Sequence, residues 1–119
     1  MSDAASREWR FYIDDMIGFA QKALAYSQGF DQAAFVASSL NYDAALRNLE
    51  LIGEAATHVP EAARAANQQI PWRLVIATRN RLIHGYLGID DDVLWSIIQD
   101  DVPALLVELR ALKAALKLR

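Results

Sequence analysis

The chain has 119 residues, of which 54% are hydrophobic, and a formal net charge of -3 at pH 7. These values suit one globular domain over residues 1–119 and argue against an intrinsically disordered protein. Without cysteine there is no disulfide and no thiolate metal site, and no apolar run is long enough to span a membrane. The opening residues lack the apolar core of a signal peptide, so we expect a cytoplasmic protein.

The first predicted helix runs from about Ser6 to Ser27. Its apolar residues recur every three or four positions, the spacing of one buried helix face: Trp9, Ile13, Met16, Ala20 and Leu24. We expect Gly29 to end this helix and Asp31 to cap a short turn that reaches Val36.

A long second helix is predicted up to about Thr57, with Ser38 or Ser39 as its cap and Asp43 placed early to suit the helix dipole. One face carries the residues that should be buried: Leu46, Leu49, Gly53 and Ala56. A glycine inside a helix costs up to ~1 kcal/mol relative to alanine. Gly53 therefore predicts close packing of a neighbouring helix at that point.

Two prolines mark the next helix starts. Pro60 with Glu61 opens a short helix, because proline fits the first helical turn. Pro71 opens a longer helix that runs to His84, and Gly85 is a plausible left-handed cap after it.

The last helix begins at the acidic run from Asp90 to Asp92, which we interpret as a cap and first turn rather than a metal site. Its apolar residues form a heptad-like seam: Trp95, Ile98, Val102, Leu105, Leu109, Leu112 and Leu116. Pro103 lies within this seam and predicts a kink near residues 99–101. Strand signals are almost absent, so the predicted architecture is an all-α bundle of four or five helices.

A basic window interrupts this acidic chain. From Ala62 to Ile89 there is no Asp or Glu, whereas four arginines fall inside: Arg64, Arg73, Arg79 and Arg81. Such a charge asymmetry indicates an anionic ligand. His84 adds a group that titrates near neutral pH.

Arg79 and His84 together suffice for RNA cleavage without metal. His84 would move a proton at the ribose 2′-hydroxyl or the leaving oxygen, and Arg79 would stabilise charge on the phosphate. Asn80 shares a helix face with His84, but Arg79 lies five residues before His84 and points elsewhere. Both reach one site only if the helix end is distorted or the site straddles two chains.

Plainer interpretations stay open for each of these residues. His84 fits a C-terminal capping residue, and Arg73 and Arg81 fit solvated side chains. His58 fits a surface residue at a helix end, and Tyr86 fits a half-buried packing ring.

The string from Arg79 to Tyr86, RNRLIHGY, resembles the signature of the HEPN superfamily. The tyrosine two positions after the histidine narrows the resemblance to the HepT-like toxins of MntA/HepT toxin–antitoxin systems. Residues 43–56, 70–73 and 101–103 resemble other segments of that family. The resemblance covers about residues 9–116.

This resemblance implies an up-and-down HEPN-like bundle and a metal-independent endoribonuclease toxin of a type VII-like system, acting on tRNA or mRNA without a cofactor. It implies a homodimer with the motif lining a cleft between chains, Arg79 and His84 as catalytic residues, and Asn80 and Arg81 in support. It also implies that an MntA-like minimal nucleotidyltransferase antitoxin attaches AMP to Tyr86.

Three polar residues of the second long helix are candidates to face the same cleft: Arg47, Asn48 and Glu54. Two other function classes compete with the enzyme. One is a non-catalytic helical binding module that partners or regulates a nucleotidyltransferase. The other is a structural bundle partner that uses the seam of the last helix.

Overall fold

The computed structural model describes the backbone of residues 3–84 and 90–117 and the side chains of residues 8–84 and 90–117. Over these ranges the chain is helical with no strand, which confirms the all-α prediction and fits a HEPN-like bundle. None of the described helices is both long and apolar enough to cross a membrane. The elements in chain order are α1 (Asp3–Ser27), α2 (Gln32–Ala37), α3 (Ser39–Thr57), α4 (Glu61–Ala65), α5 (Trp72–His84), α6 (Asp91–Ser96), a π-helical turn (Ile97–Asp101) and α7 (Val102–Lys117).

Helix α3 lies in the middle of the bundle. Helix α1 packs along one side of it and α5 along another, while α7 packs against α1. Burying a large apolar side chain contributes about 1.5–3 kcal/mol, so this core holds α3 firmly as the support for α5. The largest fully buried side chains are Phe35, Ile13, Met16, Ile70, Leu94, Ile98, Leu109 and Val59.

The predicted apolar face of α1 is the face that the bundle buries. Ile13, Met16 and Ala20 are buried, and Trp9 and Leu24 are half-buried toward the two ends. The helix begins three residues earlier than predicted, at Asp3. The helix ends just before Gly29, as predicted, and Gly29 has a φ of 83°, a left-handed conformation that glycine adopts readily.

Aspartates cap two helices as predicted, but the predicted serine cap is absent. Asp31 accepts a hydrogen bond from the Ala34 N–H at 2.8 Å, and Asp90 accepts one from the Asp92 N–H at 2.8 Å. Ser38 stands at the cap position of α3, yet its hydroxyl donates to Asn41 Oδ1 at 2.9 Å and makes no cap hydrogen bond. A side-chain acceptor outcompetes the cap role here.

The start of α6 is tied to α2 and α3 by polar side chains. The Tyr42 hydroxyl donates to Asp91 Oδ1 at 3.1 Å, and the Gln32 amide donates to Asp92. Burial raises the pKa of the Tyr42 phenol above its usual value of 10.0, and the hydrogen bond and charge of Asp91, with the charge of Asp43, raise it further. The acidic run is therefore used for capping and docking.

The predicted kink before Pro103 takes the form of the π-helical turn. Pro103 has no N–H, and its ring would collide with the carbonyl of Gln99 in a regular helix. Residues 97–101 instead form a wider helical turn that contains one extra residue, and the Val102 N–H donates to the carbonyl of Ile97, five residues earlier. Ahead of the turn the buried residue is Leu94, while Trp95, which we placed on the seam, is only half-buried.

Helix α5 lies at the edge of the bundle. Among its side chains only Trp72 is buried, and Leu74 stays 55% exposed. The helix therefore presents most of its surface to solvent, including the side opposite α3.

Candidate active site

The motif helix α5 is anchored at its start by Trp72. The indole ring is buried, and its Nε1 donates to the Asn67 carbonyl at 3.0 Å. Pro71 precedes the helix, where the missing N–H leaves no bond unmade, and its carbonyl accepts from the Val75 N–H at 3.0 Å. From this anchor α5 runs as a regular α-helix to His84, the last described residue before the gap at 85–89.

Arg79 turns inward from α5 onto α3. Its Nη2 donates to Glu54 Oε2 at 2.5 Å, and its Nη1 donates to Asn80 Oδ1 at 2.8 Å. The side chain is 26% exposed, so the charged pair is partly screened from water. Arg79 Nε is shielded from solvent and has no hydrogen-bond partner among the described residues.

Gly53 is the reason that Arg79 fits against α3. A Cβ at position 53 would lie 2.1 Å from Arg79 Cβ, 2.8 Å from Arg79 Cγ and 3.1 Å from the Val75 carbonyl oxygen. Any larger residue would push α5 or the arginine stem away. The predicted close approach of a helix at Gly53 is confirmed, and the side chain that uses it is Arg79.

Glu54 also faces a second basic group. Its Oε1 lies 3.5 Å from His58 Nε2, one turn further along α3. The His58 ring stacks on Tyr12 of α1, with centroids 4.8 Å apart and planes inclined by 15°. The carboxylate is thereby bracketed by Arg79 and His58, and α1 restrains the histidine.

His84 stands apart from this cluster at the exposed end of α5. Five residues of regular helix place it about 140° around the axis from Arg79. No hydrogen bond or ion pair within the described ranges joins the two side chains. The helix end is not distorted, so one copy of the chain does not bring Arg79 and His84 together.

Asn80 lies between the two catalytic candidates. Its Oδ1 accepts from Arg79 Nη1, and its position one turn before His84 puts it on the histidine's side of the helix. Arg81 is exposed, in agreement with the solvated interpretation, and forms no ion pair with any described carboxylate. The histidine end of the helix is thus polar and open.

Of the three candidates on α3, only Glu54 reaches the motif. Arg47 pairs with Glu50 on its own helix at 3.1 Å. Asn48 is buried, and its amide donates to the Ala44 carbonyl at 2.8 Å. These contacts lie within α3, so Glu54 is the only one of the three candidates that contacts Arg79.

Tyr86 and Gly85 lie outside the described residues, so the modification site and the glycine cap remain sequence predictions. Within the described ranges, no three His, Asp or Glu side chains gather in a cluster that would hold a metal ion.

Comparison with known proteins places the chain in a family. The family model described as "Ribonuclease HepT-like" matches residues 16–112. The chain belongs to the HepT-like ribonuclease family. The matched region contains Glu54 on α3 as well as the motif on α5. No solved structure matches the chain.

Two relatives illustrate how far the similarity extends. A protein of Methanocaldococcus jannaschii, named a putative RNase, is 31% identical over 101 residues, which cover 85% of this chain and 93% of the relative. A protein of Thermococcus cleftensis, named a probable ribonuclease HepT, is 30% identical over 99 residues, covering 83% of this chain and 90% of the relative.

The sequence analysis of this HepT-like chain did not anticipate the contacts of His58 with Glu54 and Tyr12, and it left Glu54 as one of three candidates on α3. A usable signal was present. Glu54 and His58 are four residues apart with the acid first, the favourable order for a charged pair on a helix. Glu54 also follows Gly53, the residue that marks close helix packing.

Proposed function

We propose that this HepT-like protein is an endoribonuclease toxin of a type VII-like toxin–antitoxin system and that it cleaves tRNA or mRNA without metal. The observation that carries the proposal is the held guanidinium of Arg79, fixed by Glu54 beside Asn80, on the helix that ends at His84. Family membership supports RNA as the substrate.

His84 acts as the proton-transfer group in this proposal. It removes the proton of the ribose 2′-hydroxyl or protonates the departing 5′-oxygen, and the 2′-oxygen attacks the phosphorus. Arg79 stabilises the negative charge that builds on the phosphate oxygens. The product carries a 2′,3′-cyclic phosphate. DNA lacks the 2′-hydroxyl and is not a substrate.

A homodimer completes the site. Because α5 is regular and turns Arg79 and His84 apart, we infer that Arg79 of one copy meets His84 of the other across a twofold axis near the two α5 helices. The exposed Leu74 borders an apolar groove between α3, α5 and α7, which lies on a different face of α5 from His84. Its other apolar lining residues on these helices are Leu49 and Ile52 of α3, Val75 of α5, and Val102 and Leu105 of α7. Sedimentation as a monomer at tens of micromolar would contradict the dimer.

Tyr86 is the proposed control point. We infer that an MntA-like minimal nucleotidyltransferase antitoxin attaches AMP to its hydroxyl, as the HepT-like motif indicates. The added phosphodiester brings bulk and negative charge close to Arg79 and Arg81, where substrate phosphate binds. The toxin is silenced by occupation of its own anion site.

The alternative function is a non-catalytic binding module that partners or regulates a nucleotidyltransferase. One observation favours it: the guanidinium of Arg79 is already paired with Glu54, which reduces the charge available to a phosphate. Only the enzyme predicts cleavage of RNA.

The deciding experiment incubates the purified protein with total tRNA and with mRNA, each with and without EDTA. We expect cleavage that survives EDTA and falls on the order of a hundredfold or more in His84→Ala and Arg79→Ala. Arg110→Ala, an exposed arginine on α7, is the matched control and should cleave normally. Intact RNA with the wild-type dimer would favour the binding module, and near wild-type cleavage by His84→Ala would refute the assignment of the histidine.

A further inference from the structure

An open cleft of about 490 Å³ lies between α4 and α5, on the side of α5 away from the apolar groove. Its volume is in the range of ligand sites in proteins. Trp72 and Ile76 form an apolar floor, and Arg64 of α4 and Arg73 of α5 supply cationic side chains. Asn80 lies at the end of the cleft that approaches the motif.

The cleft carries an excess of positive charge in an acidic chain. Arg64 and Arg73 face one carboxylate, Glu61, and neither arginine forms an ion pair with any carboxylate in the part of the chain that the structure describes. The Nε of Arg64 is shielded from solvent and has no hydrogen-bond partner among the residues that the structure describes. Guanidinium groups bind phosphate with two parallel hydrogen bonds, so two unpaired ones favour a phosphate ligand.

One straight row of residues leads from the cleft to the catalytic histidine. Arg73, Ala77, Asn80 and His84 are spaced by four, three and four residues, which places them on one face of the regular helix α5. At 1.5 Å per residue the row is about 16 Å long. The phosphates of a stacked strand advance about 3.4 Å per nucleotide, so several nucleotides fit along it. Ala77 is exposed and small, which leaves the middle of the row open.

We propose that the α4–α5 cleft binds the single-stranded RNA flank next to the cleaved phosphate, with Arg64 and Arg73 holding backbone phosphates several nucleotides from His84. This inference rests on the proposed ribonuclease function for its substrate. The apolar floor accommodates sugar and base surfaces, while the arginines make contacts that do not depend on sequence. The cleft therefore contributes affinity and strand placement rather than chemistry.

The first test measures binding of fluorescent single-stranded RNA in the His84→Ala background, so that cleavage plays no part. We expect Arg73→Ala and Arg64→Ala each to weaken binding several-fold at low salt. Each should also reduce the slope of log affinity against log salt by about 0.7, the value for one lost phosphate contact on a single strand. Arg73→Lys keeps the charge and should retain most of the salt slope. Arg110→Ala is the control that leaves both quantities unchanged.

The second test uses the absence of cysteine from the chain. Ala77→Cys places a single thiol on the row, and Ala111→Cys places one on the exposed surface of α7. A photo-crosslinker attached to each should capture RNA at position 77 and not at position 111. The proposed dimer brings a second copy close to His84 on this same face, so capture of a second copy at position 77 together with no capture of RNA there would overturn the proposal. Unchanged RNA affinity and salt slope in Arg64→Ala and Arg73→Ala would also overturn it.

These readouts distinguish failure of the cleft proposal from failure of the ribonuclease proposal. A wild-type protein that never cleaves RNA, yet binds it through Arg64 and Arg73, would leave the cleft proposal standing while the ribonuclease proposal fails. If the protein cleaves RNA normally with both arginines replaced, the ribonuclease proposal stands and the cleft proposal fails.

Discussion

The carboxylate of Glu54 on α3 holds the guanidinium of Arg79 on α5, with Oε2 and Nη2 2.5 Å apart. The two residues are far apart in the chain, so the contact exists only because the two helices pack side by side. A charged group that is fixed before substrate arrives loses less entropy when it acts on a transition state. Glu54 is therefore a positioning residue for the proposed reaction.

Replacing Glu54 with glutamine tests this role. Glu54→Gln keeps the shape of the side chain but removes its charge, so Arg79 is held less firmly. We expect kcat to fall about ten- to hundredfold, since small displacements of a catalytic group have effects of that order. Affinity for RNA should not weaken, because one negative charge near the phosphate is lost. Kinetics of RNA cleavage with separate kcat and KM check both statements.

Glu50→Gln is the matched control for that experiment. Glu50 lies on the same helix and pairs with Arg47, which does not reach the motif. Both variants should stay within about 1 kcal/mol of wild-type stability, as partly exposed ion pairs contribute little. Equal kcat values for the two variants would show that Glu54 does not position Arg79.

Gly53 offers a steric test of the same contact. In Gly53→Ala the new Cβ would meet Arg79 Cβ at 2.1 Å, so α5 or the arginine must shift. Overpacking of this kind costs about 1–3 kcal/mol, partly offset by up to ~1 kcal/mol of helix propensity. We expect a modest loss of stability in thermal unfolding together with a large loss of cleavage.

Gly18→Ala is the counterpart on α1. Nothing lies within 4 Å of a Cβ built at Gly18, so this variant should gain up to ~1 kcal/mol and keep its activity. A stabilised and fully active Gly53→Ala would mean that the observed closeness of Arg79 to α3 has no functional role.

Tyr86→Phe removes the proposed acceptor of AMP and leaves the ring. We expect the variant to cleave RNA but to resist modification when it is co-expressed with the nucleotidyltransferase, as measured by mass spectrometry of the intact chain. Tyr26→Phe, on α1, is a control that should still be modified. AMP found on a different residue would contradict the assignment of Tyr86.

Tyr42 gives a pH-dependent prediction. Its pKa is raised in the folded chain above the usual 10.0, so the unfolded chain releases this proton at a lower pH than the folded chain. Stability is therefore unaffected below pH 10.0 and falls as the pH rises from there toward the folded pKa. Ultraviolet titration of the phenols should show a component above pH 10.0 that disappears in Tyr42→Phe.

The sequence predicted the helices well because their cues are local. Some residues start, end or cap a helix by their own backbone or side-chain chemistry, as Pro71, Gly29 and Asp31 do. The spacing of apolar residues likewise identifies the buried face of a helix without showing which element covers it. The serine cap failed because a competing acceptor, Asn41, is offered by the folded turn.

The site was predictable only in part, for a physical reason. The motif on α5 is a local string, but the contact of Arg79 with Glu54 depends on which face of α3 meets α5. A glycine inside a helix indicates that a neighbouring helix packs closely at Gly53. It does not indicate which residue of that neighbouring helix makes the contact. His58 is an exposed residue at the end of α3, as predicted, but its contacts with Glu54 and Tyr12 depend on the folded structure and could not be read from the sequence.

Because α5 lies at the edge of the bundle, we expect the motif that it carries to unfold locally more easily than the core helices. A helix with one buried side chain and with α3 as its main packing neighbour separates from the rest in a local opening of low free energy. The backbone amide hydrogens of α5 should therefore exchange with solvent faster than those of α1 and α3. On heating, α5 should unfold before the rest of the bundle. A partner that covers α5 would slow this exchange, so amide protection along one helix reports when the motif is occupied.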